Sequence, residues 1–432
     1  MPTLKVKMGS LELDNPMMVS SGDVAKDPVG IMKCDRYRPG AIVMKAALIE
    51  EEFVKLFPGW ERGRKIFTRA QYAWPGTDGL VGTSAPHDWS SEQWCDWLAN
   101  NRRNIETPLI AQLMSLSVDG YVRNAKMFEE AGADAIEINY GCPVPALREF
   151  PYAGPLDKNI LDEILTAVRP AVKIPLGVKN GSFPWAARMS HRKGLEYCCI
   201  NSVDRSQPPI DIETMEPVIP AAHYAVGSGI FKYRNYLTLT RVSDIIDNGF
   251  HVSVCGGILK WQDIIESTMY GATSMQMQSL FLRKGIRVVD RMKRDLLDYM
   301  ERHNLETLDE IRGIVIPKII GEEESAQAGP ATKGKVIAVV DEDKCTGCGI
   351  CEDVCYYEGI KVVDRMAVVN ENNCEGCRAC VMDCPEGALS LRNVEMVYEI
   401  ARKWLQENRP EVAKHGIMAQ DPRDRKSLGL KA

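Results

Sequence analysis

The chain has 432 residues, a formal net charge of −6, 45% hydrophobic residues and 26% charged residues. That length leaves room for two domains and a sizeable core, and the acidic balance leaves no electrostatic footprint for nucleic acid or an anionic membrane surface. The opening MPTLKVKMGSLELDN has no apolar h-region and no later run is long and apolar enough to span a bilayer, so a cytoplasmic chain without a secretory signal is expected.

Residues 1–318 alternate short apolar runs with helical patterns. Strands are predicted over 16–20, 41–45, 108–113, 135–139, 174–179, 197–201, 250–255 and 273–277. Helices are predicted between most of them, at 119–131, 159–171, 235–247 and 260–270. The runs are continuously apolar, as parallel strands buried on both faces require. Eight such units predict an α/β fold, a (β/α)8 TIM barrel in preference to an open doubly wound sheet, and no G-x-G-x-x-G follows the first run.

Barrel chemistry gathers at the C-terminal strand ends. Here they read Ser20-Ser21-Gly22, Lys45, Gln112, Asn139 followed by Cys142, Lys179, Asn201-Ser202, Gly256-Gly257 and Gln278-Ser279. Lysines ending two strands point ammonium groups at the mouth, where they suit an anionic ring or a phosphate. Gly227-Ser228-Gly229 and Gly256-Gly257 offer backbone N–H groups to a phosphate, the second just before a helix predicted to start near Leu259. A simple turn is the competing reading of each.

Residues 319–335, containing GEEESAQAGPATKGK, are polar and aperiodic and are assigned as a linker. Of 14 cysteines, six are scattered at Cys34, Cys95, Cys142, Cys198, Cys199 and Cys255; the other eight fall between Cys345 and Cys384. In a reducing compartment a dense set reads as metal ligands. Its runs are Cys345-x2-Cys348-x2-Cys351-x3-Cys355 and Cys374-x2-Cys377-x2-Cys380-x3-Cys384-Pro385, the doubled spacing of a bacterial ferredoxin with two [4Fe-4S] clusters. The fourth cysteine of each run serves the other cluster in that arrangement. Cys345, Cys348, Cys351 and Cys384 are therefore expected on one cluster, and Cys374, Cys377, Cys380 and Cys355 on the other. Gly347 and Gly376 permit the tight turns, and Tyr356 stands after Cys355 where a proline is usual. A zinc site or a disulfide framework is the alternative, disfavoured by two identical four-cysteine runs. The ferredoxin domain is assigned to 336–393, and 394–432 to an amphipathic helix (394–406) and a tail.

The order of LELDNPMMVSSG, VMK at Lys45, EINYGCP around Cys142, GVK at Lys179, INSV at Asn201, GSG ending at Gly229 and VCGGI at Gly256 resembles the dihydroorotate dehydrogenase superfamily. The resemblance spans residues 4–393. With the appended module, the chain looks most like the dihydropyrimidine dehydrogenase branch, in the bacterial form whose pyrimidine-reducing subunit is a separate chain. It implies FMN at the strand ends, within a shell of Ser21, Gly22, Lys45, Asn139, Lys179, Asn201, Gly229, Gly256, Gly257, Gln278 and Ser279. Cys142, in Asn139-Tyr140-Gly141-Cys142-Pro143, matches the family's Asn-Leu-Ser-Cys-Pro. The resemblance implies that it transfers a proton at the ring carbon beside the one exchanging hydride with the flavin. A thiol's ordinary pKa, ~8.5, suits that role; a small buried hydrophobe is the competing reading. Lys45 and Lys179 would favour reduced, anionic flavin, and Asn139, Asn201 and Ser202 are the implied substrate contacts.

The chain also departs from the family pattern. Val144 stands where an asparagine is expected, and GTDGLVGTSAPHDW contains none. A different ring is therefore open as substrate, with 145–155 and 202–226 shaping specificity. Arg148, Asp204 and Arg205 are candidate contacts or solvated loop charges. The expected activity is flavin-dependent reduction, or its reverse, at a C=C bond of a small cyclic substrate such as uracil or thymine. The alternatives are a dihydroorotate dehydrogenase of pyrimidine synthesis, a reductase of a non-pyrimidine ring, and an electron carrier or scaffold. With no nicotinamide or FAD fingerprint in the chain, electrons are expected from an NAD(P)H-dependent flavoprotein subunit or a ferredoxin. The resemblance also implies a homodimer or heterotetramer.

Overall fold

The computed structural model describes residues 2–46, 70–73, 80–83, 89–140, 152, 157–202, 204–206, 210–217, 224–319, 335–371 and 373–394. The chain divides into two compact units, Met1–Ile316 and Pro317–Ala432.

The first unit is a closed barrel of eight parallel strands: β1 (Met17–Val19), β2 (Ala41–Val43), β3 (Leu109–Leu113), β4 (Ala135–Asn139), β5 (Leu176–Lys179), β6 (Tyr197–Asn201), β7 (His251–Cys255) and β8 (Ser274–Met277). Neighbours in space are neighbours in sequence, and β8 closes on β1 through Gln276↔Met18. Helices α1 (Pro28–Asp35), α2 (Ser91–Asn101), α3 (Val118–Glu130), α4 (Lys158–Val168), α5 (Pro184–Arg192), α6 (Phe231–Arg241), α7 (Trp261–Met269) and α8 (Val288–Arg302) follow the strands in turn. Their starts are chemically marked. Ser90 and Gln93 form a capping box on α2, Ser117 caps α3, Asp157 caps α4, and prolines open α1 and α5.

Strand alternation divides the apolar residues into two sets. One, including Ile42, Leu109, Ile136 and Val178, packs outward with the helices. The other fills the lower barrel interior with Met18, Val43, Ile110, Ala135 and Tyr197. It is plugged from below by the hairpin Val6–Met8/Leu11–Leu13, whose Val6, Met8 and Leu13 join the same cluster. Above that apolar floor the interior turns polar, which is where a site can form. Beyond the barrel, segments following β2 and β6 pair into one antiparallel sheet in the order 204–206, 224–227, 80–83, 70–73.

In the second unit, Lys335–Val340 pairs antiparallel with Leu389–Val394, and Ile360–Val363 with Met366–Val369. Two short helices, Ile350–Asp353 and Ala379–Asp383, carry cysteines. The core is small: Cys351, Ile360, Ala367 and Leu389, with partly buried cysteines packed on it. So little apolar area is a weak source of stability by itself, as expected of a domain organised around inorganic centres.

All eight predicted barrel strands form, with ends shifted by a residue or two. Lys45 lies just past the end of β2 rather than in it. The helix predicted over 235–247 starts earlier, at Phe231, and breaks at Val242 before a short helix, Ser243–Asp247. Val394, predicted to begin a helix, instead ends a strand paired with Lys335. Most of the predicted linker (320–334) and the terminal segment 395–432 lie outside the described residues.

Candidate active site

The polar upper interior is built on Glu137. It interrupts the apolar run AIEIN of β4, and the strand's alternation turns it into the barrel, where it is fully buried. Gln112 of β3 donates Nε2–H to Glu137 Oε1 at 2.6 Å, and Gln276 of β8 donates to Oε2 at 2.5 Å. Burial holds the Glu137 carboxyl above its ordinary value, although Lys179 and the two amides act the other way. Asn139 pairs in register with Lys179 across β4 and β5, one inward step above Glu137 and its partner Gly177.

Lys179 Nζ donates to Ser20 Oγ at 3.4 Å, and Ser20 Oγ lies 3.3 Å from Cys255 Sγ. Cys255 and Cys199 form a buried thiol pair. Cys255 is the more acidic member: its hydrogen bond with Cys199 outweighs its burial, and Lys179 and Ser20 act in the same direction. Burial and that same bond push Cys199 up.

The mouth residues predicted from sequence converge. Lys45, Asn139, Lys179, Asn201 and Ser202 are all buried at strand ends. Ser21 Oγ accepts from Ala46 N at 3.2 Å, and the Ser202 hydroxyl lies 2.8 Å from that of Ser182. Gly22 packs so tightly on Gln278 that a Cβ there would fall 2.4 Å from its amide carbon. Ser279 follows as the first residue of the short helix Ser279–Lys284. Among the described residues, the buried Oδ1 atoms of Asn139 and Asn201 and Oε1 of Gln278 have no hydrogen-bond partner. Three unmatched acceptors at one mouth are costly unless a ligand donates to them. A flavin or a lactam-like ring carries N–H groups of that kind, so these residues fit FMN and a cyclic substrate.

Gly229 precedes α6, and Gly256-Gly257 leaves β7 with φ +95° and +84°. A Cβ on Gly257 would lie 2.2 Å from Lys232 N, so only glycine brings this turn so close to α6. Asn235 Nδ2 fastens the turn by donating to Gly256 O at 2.9 Å. One detail departs from the sequence-based expectation: α7 starts at Trp261, not near Leu259. Asp263 Oδ2 takes the N–H groups of Leu259 (2.9 Å) and Lys260 (3.1 Å), so those donors are not offered to a phosphate. Lys232 Nζ in turn bonds Asp263 Oδ1 and Glu266 Oε2, both at 2.7 Å.

Cys142, Val144 and Arg148 lie outside the described residues, as do the side chains of Asp204 and Arg205 and most of the loop around residues 76–88. The described residues Tyr140 and Asp157 are tied to each other. Tyr140 OH donates to Asp157 O, and Asp157 N donates back to Tyr140 OH at 3.0 Å.

In the second unit the cysteines separate by cavity, not by sequence run. One cavity is lined by Cys345, Cys348, Cys351 and Cys384; another is lined by Cys355, Cys374, Cys377 and Cys380. Backbone N–H groups of Ala388, Gly359 and Ala338 point at the sulfurs of Cys384 (3.3 Å), Cys355 (3.3 Å) and Cys374 (3.4 Å), a donor set suited to thiolates. Gly347 (φ +67°) and Gly376 (φ +61°) turn left-handed, each with a backbone carbonyl where a Cβ would fall. Among the described residues no three His, Cys, Asp or Glu groups converge closely enough to hold a single ion. Four thiols lining each cavity match a [4Fe-4S] cluster, which takes one thiolate on each of its four irons.

Sequence reading passed over Glu137 as part of a strand, and with it the clamp from Gln276. The available signal was a lone charge inside a run otherwise buried on both faces.

The dihydroorotate dehydrogenase family model matches residues 3–300. Two 4Fe-4S binding domain models match residues 338–361 and 366–389. The chain is 22% identical over 321 residues to the catalytic subunit of dihydroorotate dehydrogenase B (NAD(+)) of Thermoplasma volcanium, covering 74% of this chain and 100% of that protein. It is 26% identical over 268 residues to the NAD-dependent dihydropyrimidine dehydrogenase subunit PreA of Escherichia coli K12, covering 59% and 63% respectively. It is 27% identical over 222 residues to dihydroorotate dehydrogenase (fumarate) of Lachancea kluyveri, covering 48% and 68%. No helix among the described residues is long and apolar enough to cross a membrane.

Proposed function

The chain belongs to the dihydroorotate dehydrogenase family, and from that premise we propose that it reduces the C=C bond of a small cyclic lactam-like ring, uracil or thymine in the first instance. As a family member with two ferredoxin motifs it is a flavin-dependent oxidoreductase acting on CH–CH bonds, with FMN and two [4Fe-4S] clusters. FMN supplies the hydride when bound, and the clusters supply single electrons.

The chain's own residues supply the rest. Asn139, Asn201 and Gln278 present the unmatched buried acceptors that orient ring N–H groups, and this observation carries the proposal. Lys45 and Lys179 place positive charge at the mouth. Ser21, Gly22, Gly229, Gly256, Gly257 and Ser279 complete the cofactor shell, and Ser202 contacts substrate. Cys142 delivers the proton to the ring carbon next to the one that takes the hydride. Cys345, Cys348, Cys351 and Cys384 hold one cluster, and Cys355, Cys374, Cys377 and Cys380 the other, in line with the two cavities. Electrons arrive from an NAD(P)H-dependent flavoprotein subunit or a ferredoxin.

Dihydroorotate oxidation is the second reading, favoured by the full-length match to the Thermoplasma volcanium protein. A comparison of substrates decides between them. Anaerobic turnover of uracil or thymine with an artificial one-electron donor supports the first reading. Turnover of dihydroorotate to orotate, with uracil and thymine inert, supports the second.

A further inference from the structure

Glu137 has no part in the chemistry described so far, yet it is fully enclosed in the barrel interior and both its oxygens are engaged. Each carboxylate oxygen accepts one amide N–H, from Gln112 (2.6 Å) and Gln276 (2.5 Å). Both amides present N–H groups to it, which favours the anion against the burial that holds the carboxyl above its ordinary value. The groups around it come from strands across the barrel: Gln112 of β3, Lys179 of β5, Tyr197 and Cys199 of β6, Cys255 of β7 and Gln276 of β8. Of these, Lys179 is the cation. It points inward one step above Glu137, at the mouth.

We propose that Glu137 is a buried counter-charge to Lys179 that lowers the reduction potential of the flavin above it. This rests on the reading of Lys179 as part of the FMN seat. Two lysines at one mouth favour the reduced, anionic cofactor and would make it a poor hydride donor. A fixed negative charge on the far side of Lys179, screened from water, weakens that bias. The cofactor's potential then stays closer to the low range of ferredoxin-type clusters that feed it. Its place is fixed by the strand: one inward position below Asn139, within the polar layer and above the apolar floor.

Anaerobic spectroelectrochemistry of the full holoprotein tests this. Glu137→Gln should favour reduced over oxidised flavin roughly tenfold more than wild type, about 30 mV upward for a two-electron couple. Glu137→Asp, which keeps the charge, should stay near wild type. Lys179→Met should move the potential the opposite way, and the cluster potentials should not move in any variant. If Glu137→Gln leaves too unstable a barrel, the pair Glu137→Gln with Lys179→Met removes both buried charges together and should return the potential toward wild type. A lowered potential in Lys179→Met with none of the expected rise in Glu137→Gln overturns the counter-charge and leaves the FMN seat standing. Unchanged potential and FMN affinity in Lys179→Met overturns the seat, and the counter-charge with it.

Discussion

Asp263→Ala probes how the site is held. The side chain is 4% exposed and accepts from Lys232 Nζ at 2.7 Å, Leu259 N at 2.9 Å and Lys260 N at 3.1 Å. Truncation strands two backbone N–H groups at about 1–2 kcal/mol each. It also strips Lys232 of one of two carboxylates. Breaking a buried pair costs about 3–5 kcal/mol, but Lys232 keeps Glu266, whose side chain is 44% exposed, so the lower end applies. Taking the lower end of each contribution, the expected loss is about 5 kcal/mol, or roughly 10–20 °C in the melting of the barrel. Burial pulls the Lys232 ammonium down, but Asp263 and Glu266 more than offset this and leave it above its ordinary value. The contribution is therefore complete below the ordinary lysine pKa and is lost only as pH rises through the folded value, so the deficit should be flat across neutral pH. The same node fastens α6 to α7 beside the Gly256-Gly257 turn, so FMN affinity should fall with stability. Tryptophan-monitored unfolding and flavin titration measure both. A melting shift within about 1 °C and unchanged flavin affinity would refute the reasoning.

Three further outcomes are expected. His251 Nδ1 accepts from Gly9 N at 2.9 Å, and burial, with Arg312 second, depresses its pKa. The neutral ring is thus favoured in the fold, and stability should decline as pH falls below the ordinary histidine value toward the folded one; His251→Gln should flatten that slope in acid titrations followed by circular dichroism. Tyr140→Phe removes both bonds to Asp157 and should cost about 1–2 kcal/mol while slowing turnover several-fold; an unaltered kcat would show that these bonds do not bear on the chemistry. Cys384→Ser should damage the cluster sharing its cavity with Cys345, Cys348 and Cys351; paramagnetic resonance showing loss of the other cluster instead would reverse the assignment.

Much of this architecture is legible in residues alone, for physical reasons. Parallel strands buried on both faces are continuous apolar runs, so PMMVS and YCCIN read as strands from residue type alone. The cysteine spacing points to crossed ligand sets, and the two cavities group the same cysteines. Helix starts were less legible: α7 begins where Asp263 caps it, a bond that depends on a side chain already engaged by Lys232 from another helix. Glu137 was invisible for a related reason. Its partners come from β3, β5 and β8, and only barrel closure brings them around one carboxylate.

The central claim is that electrons held on thiolate-bound iron reach a ring substrate through the flavin at the barrel mouth. Fully reduced protein, free of oxygen and donor, should be mixed with excess uracil while cluster and flavin absorbance are recorded together. The account predicts that both chromophores reoxidise and dihydrouracil accumulates. Persistently reduced clusters beside a reoxidised flavin, or a reduced protein inert to uracil, thymine and orotate alike, would contradict it.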